Sequence, residues 1–225
     1  MGALVIKICG VVSAGDAALV ASAGANAVGL NFWPGSKRFV GDERAARAVL
    51  EAIPAGVLKV GVFVNAPAGE VVATAARLGL DRVQLHGDER PEDFTDLAGL
   101  ERARVIRAVR VRDAGSFAAD ARWDAGVYLY DAFVEGYGGG GATGPWDLIA
   151  ARARRPLWLA GGLRPENVAA AVRATRPDGV DVASGVESAP GRKDPALVRA
   201  FVVAAREAAA SSVDGAPSTG PPASR

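Results

Sequence analysis

"LVIKICGVVSAGDAAL" (4–19) decides how this chain is read. A short apolar, β-branched run ends in a cysteine, a glycine turns the chain, and an Ala-rich stretch with helical spacing follows, so the segment reads as one strand–turn–helix unit. Seven more apolar runs continue the pattern: "AVGL" (27–30), "LKVGVFV" (58–64), "RVQL" (82–85), "RVIRAV" (104–109), "AGVYLY" (125–130), "LWLA" (157–160) and "GVDV" (179–182). Between them lie segments of helical spacing such as "ERAARAVLEAI" (43–53), "GEVVATAARLG" (69–79) and "PENVAAAVRAT" (165–175). Strand then helix, eight times over, predicts a parallel sheet. Right-handed crossovers of eight units about 20 to 30 residues long close it into a single (β/α)8 TIM barrel of the α/β class. A doubly wound open sheet is the alternative, but it more often has five or six strands and carries a Gly-rich dinucleotide turn that "CGVVSAG" does not match.

The 225 residues fit one such barrel over residues 1–210, and the Pro-, Gly- and Ser-rich "SSVDGAPSTGPPASR" (211–225) reads as a short disordered C-terminal tail. Half of the residues are hydrophobic, enough for a large core. Lys plus Arg total 26 against 25 Asp plus Glu, so no basic excess recommends nucleic acid or an anionic membrane, and a small molecule is the expected partner. One cysteine excludes an internal disulfide framework. "MGALVIKIC" lacks the pattern of a secretory signal, and no apolar run approaches about 18 residues, so a cytoplasmic location is expected.

Long βα loops mark the ligand mouth of a barrel. The two longest contain "NFWPGSKRFV" (31–40) and "DAFVEGYGGGGATGPW" (131–146). After strands 7 and 8 come "LAGGLRPENV" (159–168) and "DVASGVESAPGRKD" (181–194). Barrel enzymes often hold phosphate with these two loops, so Gly161, Gly162, Ser184 and Gly185 are the candidate phosphate site, although each Gly could simply serve a tight turn. Cys9 at the end of strand 1 and Asp131 at the end of strand 6 point into the same mouth. Either could be structural, a small buried hydrophobe or a turn cap; as a pair, a thiol and a carboxyl could divide proton abstraction and donation.

The motifs together resemble the phosphoribosylanthranilate isomerase family of tryptophan biosynthesis. "IKICG" (6–10), "GLNFWPGSKRFV" (29–40), "VGVFVN" (60–65), "VQLHGDE" (83–89), "YDA" (130–132), "GYGGGG" (136–141), "AGGLRPENV" (160–168) and "GVDVASGVES" (179–188) follow the family's order from residue 6 to about 200. The resemblance implies an Amadori rearrangement of an N-linked phosphoribose to an open-chain 1-deoxyribulose phosphate, with no metal and no redox cofactor. It implies Cys9 as general base, acting as thiolate, and Asp131 as general acid, and it sets Arg38 against the anthranilate carboxylate. Nearby positive charge or helix N-termini are expected to lower the thiol pKa. His86, the single histidine, receives a positioning or hydrogen-bonding role. Gln84 and Asp181 orient ligand or neighbouring side chains, or simply fill the mouth with polar groups. The role of Lys7 stays open.

One stretch departs from the family. "GGGGATGPW" (138–146) replaces Gly-Gly-Ser or Gly-Gly-Thr followed by Gly-Lys and Phe-Asp-Trp, so the family's hydroxyl and lysine are missing there. Four consecutive glycines lose more entropy on ordering, so weaker substrate affinity is expected if the loop closes. Other phosphosugar barrels fit less well. A metal-dependent epimerase needs a His/Asp ligand set, and a histidine-pathway isomerase is expected to use paired aspartates where strand 1 here ends in cysteine. A non-catalytic barrel would keep the glycine loops without needing both Cys9 and Asp131. Neither a monomer nor a homodimer is favoured by the sequence.

Overall fold

The computed structural model describes residues 3–94, 101–118, 120–132 and 145–214. Eight strands, β1 (Val5–Cys9), β2 (Ala27–Asn31), β3 (Leu58–Phe63), β4 (Arg82–Leu85), β5 (Val105–Arg110), β6 (Val127–Asp131), β7 (Leu157–Ala160) and β8 (Gly179–Val182), pair in chain order. They close into a barrel when β8 pairs in parallel with β1, from Val5 opposite Gly179 to Ile8 opposite Val182. Every expected strand is present, with bounds that coincide with the sequence reading for β4, β7 and β8 and differ by one or two residues in the other five.

Alternation along each strand sorts its side chains between two cores. In β6, Val127, Leu129 and Asp131 face the interior, while Tyr128 and Tyr130 face the helices. The Tyr128 hydroxyl donates to the carbonyl of Trp123 at 2.7 Å, and that of Tyr130 accepts the backbone N–H of Arg154 at 2.8 Å. Val60, Ile106, Ala108, Val127, Leu129, Trp158 and Ala160 fill the interior. Outward residues such as Ile6, Ile8, Val28, Leu30, Leu159 and Val180 pack with helix residues including Val20, Val49, Val71 and Phe201.

Six α-helices are present among the described residues: α1 (Ala14–Ser22), α2 (Glu43–Glu51), α3 (Ala68–Leu78), α4 (Trp146–Arg152), α5 (Val168–Thr175) and α6 (Pro195–Asp214). The expectation of a helix after every strand fails after β5, where two 3-10 turns, Ala114–Ala118 and Asp120–Arg122, take its place. The Asp113 carboxylate accepts the N–H groups of Gly115 and Ser116, and the Ser116 hydroxyl accepts those of Arg112 and Asp113. Such side chain–backbone bonds compete with helical ones. After β4 the described residues form only short 3-10 turns, Pro91–Phe94 and Arg102–Arg104. Helix α6 runs through Asp214, past the expected boundary at 210, because the helix breakers Gly215 and Pro217 come only afterwards. Within it the Ser211 hydroxyl donates to the Glu207 carbonyl one turn back. Residues 215–225 lie outside those described.

Between β8 and α6 a small antiparallel pair, β9 (Glu187–Ala189) and β10 (Arg192–Lys193), follows the loop after β8. Two helix starts are capped as their sequences suggest: Ser13 Oγ accepts the N–H of Asp16 at 3.0 Å and the Asp42 carboxylate that of Ala45 at 2.9 Å. No helix among the described residues is long and apolar enough to cross a membrane.

The interior packing depends on Gly179, which lies opposite Trp158 in the β7–β8 register. A methyl group at Gly179 would sit 2.7 Å from the Trp158 indole. Gly179→Ala is therefore expected to destabilise the barrel by about 1–3 kcal/mol through overpacking, read as a lower urea midpoint with an unchanged slope. An unchanged midpoint would show that the indole shifts without cost.

Candidate active site

Because all eight strands run in parallel, their C-terminal ends gather at one mouth. Cys9 is the last residue of β1, Asn31 of β2 and Asp131 of β6; His86 follows β4, Gly161 follows β7, and Ser184 lies two residues beyond β8. They surround a cavity of about 290 Å3 whose walls include Cys9, Arg38, Gln84, His86, Asp131, Gly161, Gly162, Asp181 and Ser184. Of the residues singled out in the sequence, Gly185 and Lys7 do not line it. A side chain at Gly185 would overlap the carbonyl of Leu163, so this glycine locks the loop after β8 against the loop after β7. Gly161 and Gly162 have φ of 91° and 61°, a left-handed backbone that bends the loop after β7 around the cavity. A side chain at Gly161 would also overlap the Asp131 carboxylate.

On the β4 and β6 side of the cavity, His86 Nε2 lies 3.5 Å from Asp131 Oδ2, and Gln84 Nε2 lies 2.9 Å from His86 Nδ1. Gln84 thus holds the imidazole from the side away from Asp131. Gln84 Oε1 is buried without a hydrogen-bond partner.

On the β1 side, Lys7 shares with Cys9 the inward face of the strand. Its ammonium is fully buried and donates to both Asp181 oxygens, each at 2.9 Å. Burial works against that ammonium, but the charges of Asp181 and Cys9 outweigh it and raise the Lys7 pKa. Asp181 is thus the counterion of Lys7. Burial also dominates at Cys9, which is pushed above the ordinary thiol range; Lys7 pulls it down and Asp181 pushes it further up. The lowering that nearby positive charge can give a thiol is therefore outweighed, chiefly by burial and in lesser part by the counterion of that charge.

Arg38 reaches the cavity across Gly10, whose φ of 70° and missing side chain leave room for the arginine stem. Its guanidinium is already engaged. Nε lies 2.8 and 3.0 Å from the two Glu187 oxygens, and Nη2 lies 2.6 Å from Oε2. Buried Lys193 donates from the other side, to Glu187 Oε1 at 2.7 Å, to the Cys9 carbonyl at 2.6 Å and to the Ala183 carbonyl at 3.3 Å. Glu187 and Lys193 were not singled out in the sequence. Their signal was two opposite charges six residues apart in a loop that directly follows the last strand. Among the described residues no group of three or more His, Cys, Asp or Glu side chains is placed to hold a metal ion. Of the departing stretch "GGGGATGPW", residues 138–144 lie outside those described.

A sequence model of N-(5'-phosphoribosyl)anthranilate (PRA) isomerase matches residues 6–204. The chain belongs to this family. The N-(5'-phosphoribosyl)anthranilate isomerase of Rubrobacter xylanophilus is 49% identical over 206 residues, covering 89% of this chain and 98% of the relative. The crystal structure of phosphoribosylanthranilate isomerase from Thermotoga maritima superposes with a TM-score of 0.80 at 37% identity, over 91% of this chain and 99% of that one. A further member, solved in complex with reduced 1-(o-carboxyphenylamino)-1-deoxyribulose 5-phosphate, gives 0.77 at 36% identity, with the same coverage of both chains.

Burial pushes the Glu187 carboxyl up, yet the hydrogen bonds from Arg38 and Lys193 outweigh it and leave it below the usual range. A carboxyl depressed by folding adds stability above its unfolded pKa, about 4.3 for glutamate, and loses it as the pH falls through the lower folded value. The melting temperature of Glu187→Gln should therefore lie below that of the wild type at pH 7, with the gap narrowing as the pH falls below about 4.3. A gap of constant size from pH 7 to pH 3 would show that the carboxylate charge is not what holds Arg38 and Lys193.

Proposed function

We propose that Cys9 and Asp131 carry the two proton transfers by which this isomerase converts N-(5'-phosphoribosyl)anthranilate to 1-(2-carboxyphenylamino)-1-deoxyribulose 5-phosphate in tryptophan biosynthesis. The observation that carries the reading is that a thiol and a carboxyl, each the last residue of its strand, line one cavity whose wall also includes the bent glycine loop after β7.

Asp131 donates its proton to the furanose ring oxygen as the bond from that oxygen to C1 breaks, leaving an iminium between C1 and the anthranilate nitrogen. The iminium acidifies the C2–H bond. The Cys9 thiolate takes that proton, the C–H electron pair becomes the C1–C2 double bond, and the resulting enolamine tautomerises to the ketose. An opposite charge within a few ångströms favours a thiolate, so the cationic iminium helps the Cys9 thiol release its own proton to solvent before it takes the one from C2. The ring-opening step thus prepares the base for the step that follows.

Gly161, Gly162 and Ser184 receive the phosphate, their loops offering backbone N–H donors to an anion. Gly185 supports this cup by holding the two loops together. Arg38 receives the anthranilate carboxylate. Glu187 takes the Nε and Nη2 edge of the guanidinium, which leaves Nη1 to meet a substrate carboxylate in a direction fixed beforehand.

The test is turnover of phosphoribosylanthranilate, generated in place from anthranilate and phosphoribosyl pyrophosphate by the preceding enzyme and followed by fluorescence. Positioned acid or base groups contribute about 10²–10⁴-fold, so Cys9→Ala and Asp131→Asn should each lower kcat/KM by a factor in that range. A folded wild-type protein that does not turn over this substrate would overturn the reading. Full activity in either variant would remove that residue from its role.

A further inference from the structure

We propose that Lys7, clamped by Asp181, is the positioning residue that sets the place and the charge of the Cys9 sulfur, with Asp181 acting against it. This rests on Cys9 being the base. Lys7 and Cys9 are two residues apart on one strand and so face the same way. A buried ammonium is tolerated only with a close counterion, and the barrel register supplies one by setting Lys7 opposite Asp181. Gly29, opposite Cys9 in β2, makes the contact possible. A methyl group built there would lie 2.9 Å from Cys9 Sγ and 3.0 Å from Lys7 Nζ, so sulfur and ammonium share the space that the missing side chain leaves.

The three groups form a charge-balanced unit only while the sulfur is protonated: one ammonium, one carboxylate, one thiol. Ionising the thiol leaves a net negative charge in a buried site. Without Lys7 that charge grows and the thiolate is disfavoured. Without Asp181 the thiolate and the ammonium neutralise each other and the thiolate is favoured. The two substitutions therefore act in opposite directions, which loss of packing alone would not produce. The other charges facing Cys9 stay in place in both variants. Lys193 of β10 holds the Cys9 carbonyl, Arg38 approaches from the loop after β2, and Glu187 of β9 pairs with both. Asp131 of β6 and His86 after β4 line the same cavity.

Cys9 is the only cysteine in the chain, so its rate of alkylation by iodoacetamide, followed by mass spectrometry, reports its thiolate fraction without reference to turnover. Alkylation against pH is measured beside the pH profile of kcat/KM for wild type, Lys7→Met, Asp181→Asn and the double variant, which buries no lone charge. Lys7→Met should move both profiles to higher pH and slow alkylation at pH 7.5 roughly tenfold. Asp181→Asn should move the alkylation profile to lower pH, and the double variant should fall between the two. If Lys7→Met does not fold, the direction of the Asp181→Asn shift decides. Unshifted alkylation profiles, or shifts in the same direction in both variants, would overturn the inference. A Cys9→Ala protein with full turnover would instead sink the assignment of the base, whatever the alkylation shows.

Discussion

The pairing of β1 with β8 is the constraint on which the rest of the molecule depends. Without it the barrel would expose two strand edges, and the Lys7 ammonium would be buried with no counterion, since Asp181 lies 174 residues away along the chain. That seam also brings the Cys9 end of the first strand beside the loop that carries Ser184. Sheet closure, neutralisation of a buried charge and assembly of one part of the cavity wall are thus one event. The chain cannot complete its fold without bringing these parts of the site together.

Above the seam a second ionic arrangement continues the same logic. Lys193 ties Glu187 to the carbonyls of Cys9 and Ala183, and Glu187 in turn holds Arg38, which comes from the loop after β2. Three chain segments with little local structure of their own are joined by hydrogen bonds to charged groups, which are stronger than neutral ones. The Arg38 side chain is long and flexible, and fixing it before ligand arrives removes part of the ordering cost that binding would otherwise carry. The burial that makes these bonds strong also raises the cost of ionising the nearby thiol, so the rigidity of this side of the cavity and the upward shift of the Cys9 pKa have one origin.

The strands were legible because period-two alternation and β-branched composition are local properties, and "AGVYLY" or "LKVGVFV" needs no partner to be recognised. The helix expected after β5 was not there, because Asp113 and Ser116 close backbone hydrogen bonds whose geometry no hydrophobic period reports. Among site residues, those at strand ends could be placed from position alone, and the cavity gathers them. What position could not give was who pairs with whom. Lys7 was visible but unassigned, because its meaning depends on a register between the first and last strands. Glu187 and Lys193 were passed over in a loop that looked like turn chemistry. The direction of the Cys9 shift was equally out of reach, since burial, which no local pattern reports, outweighs the neighbouring cation.

The contact at Gly185 reaches beyond packing. With its backbone pressed against the Leu163 carbonyl, the loop after β8 cannot be lengthened, reshaped or exchanged without rebuilding the loop after β7. The two behave as one heritable part. A lineage adapting this barrel to a new substrate therefore changes these two loops as a block or not at all.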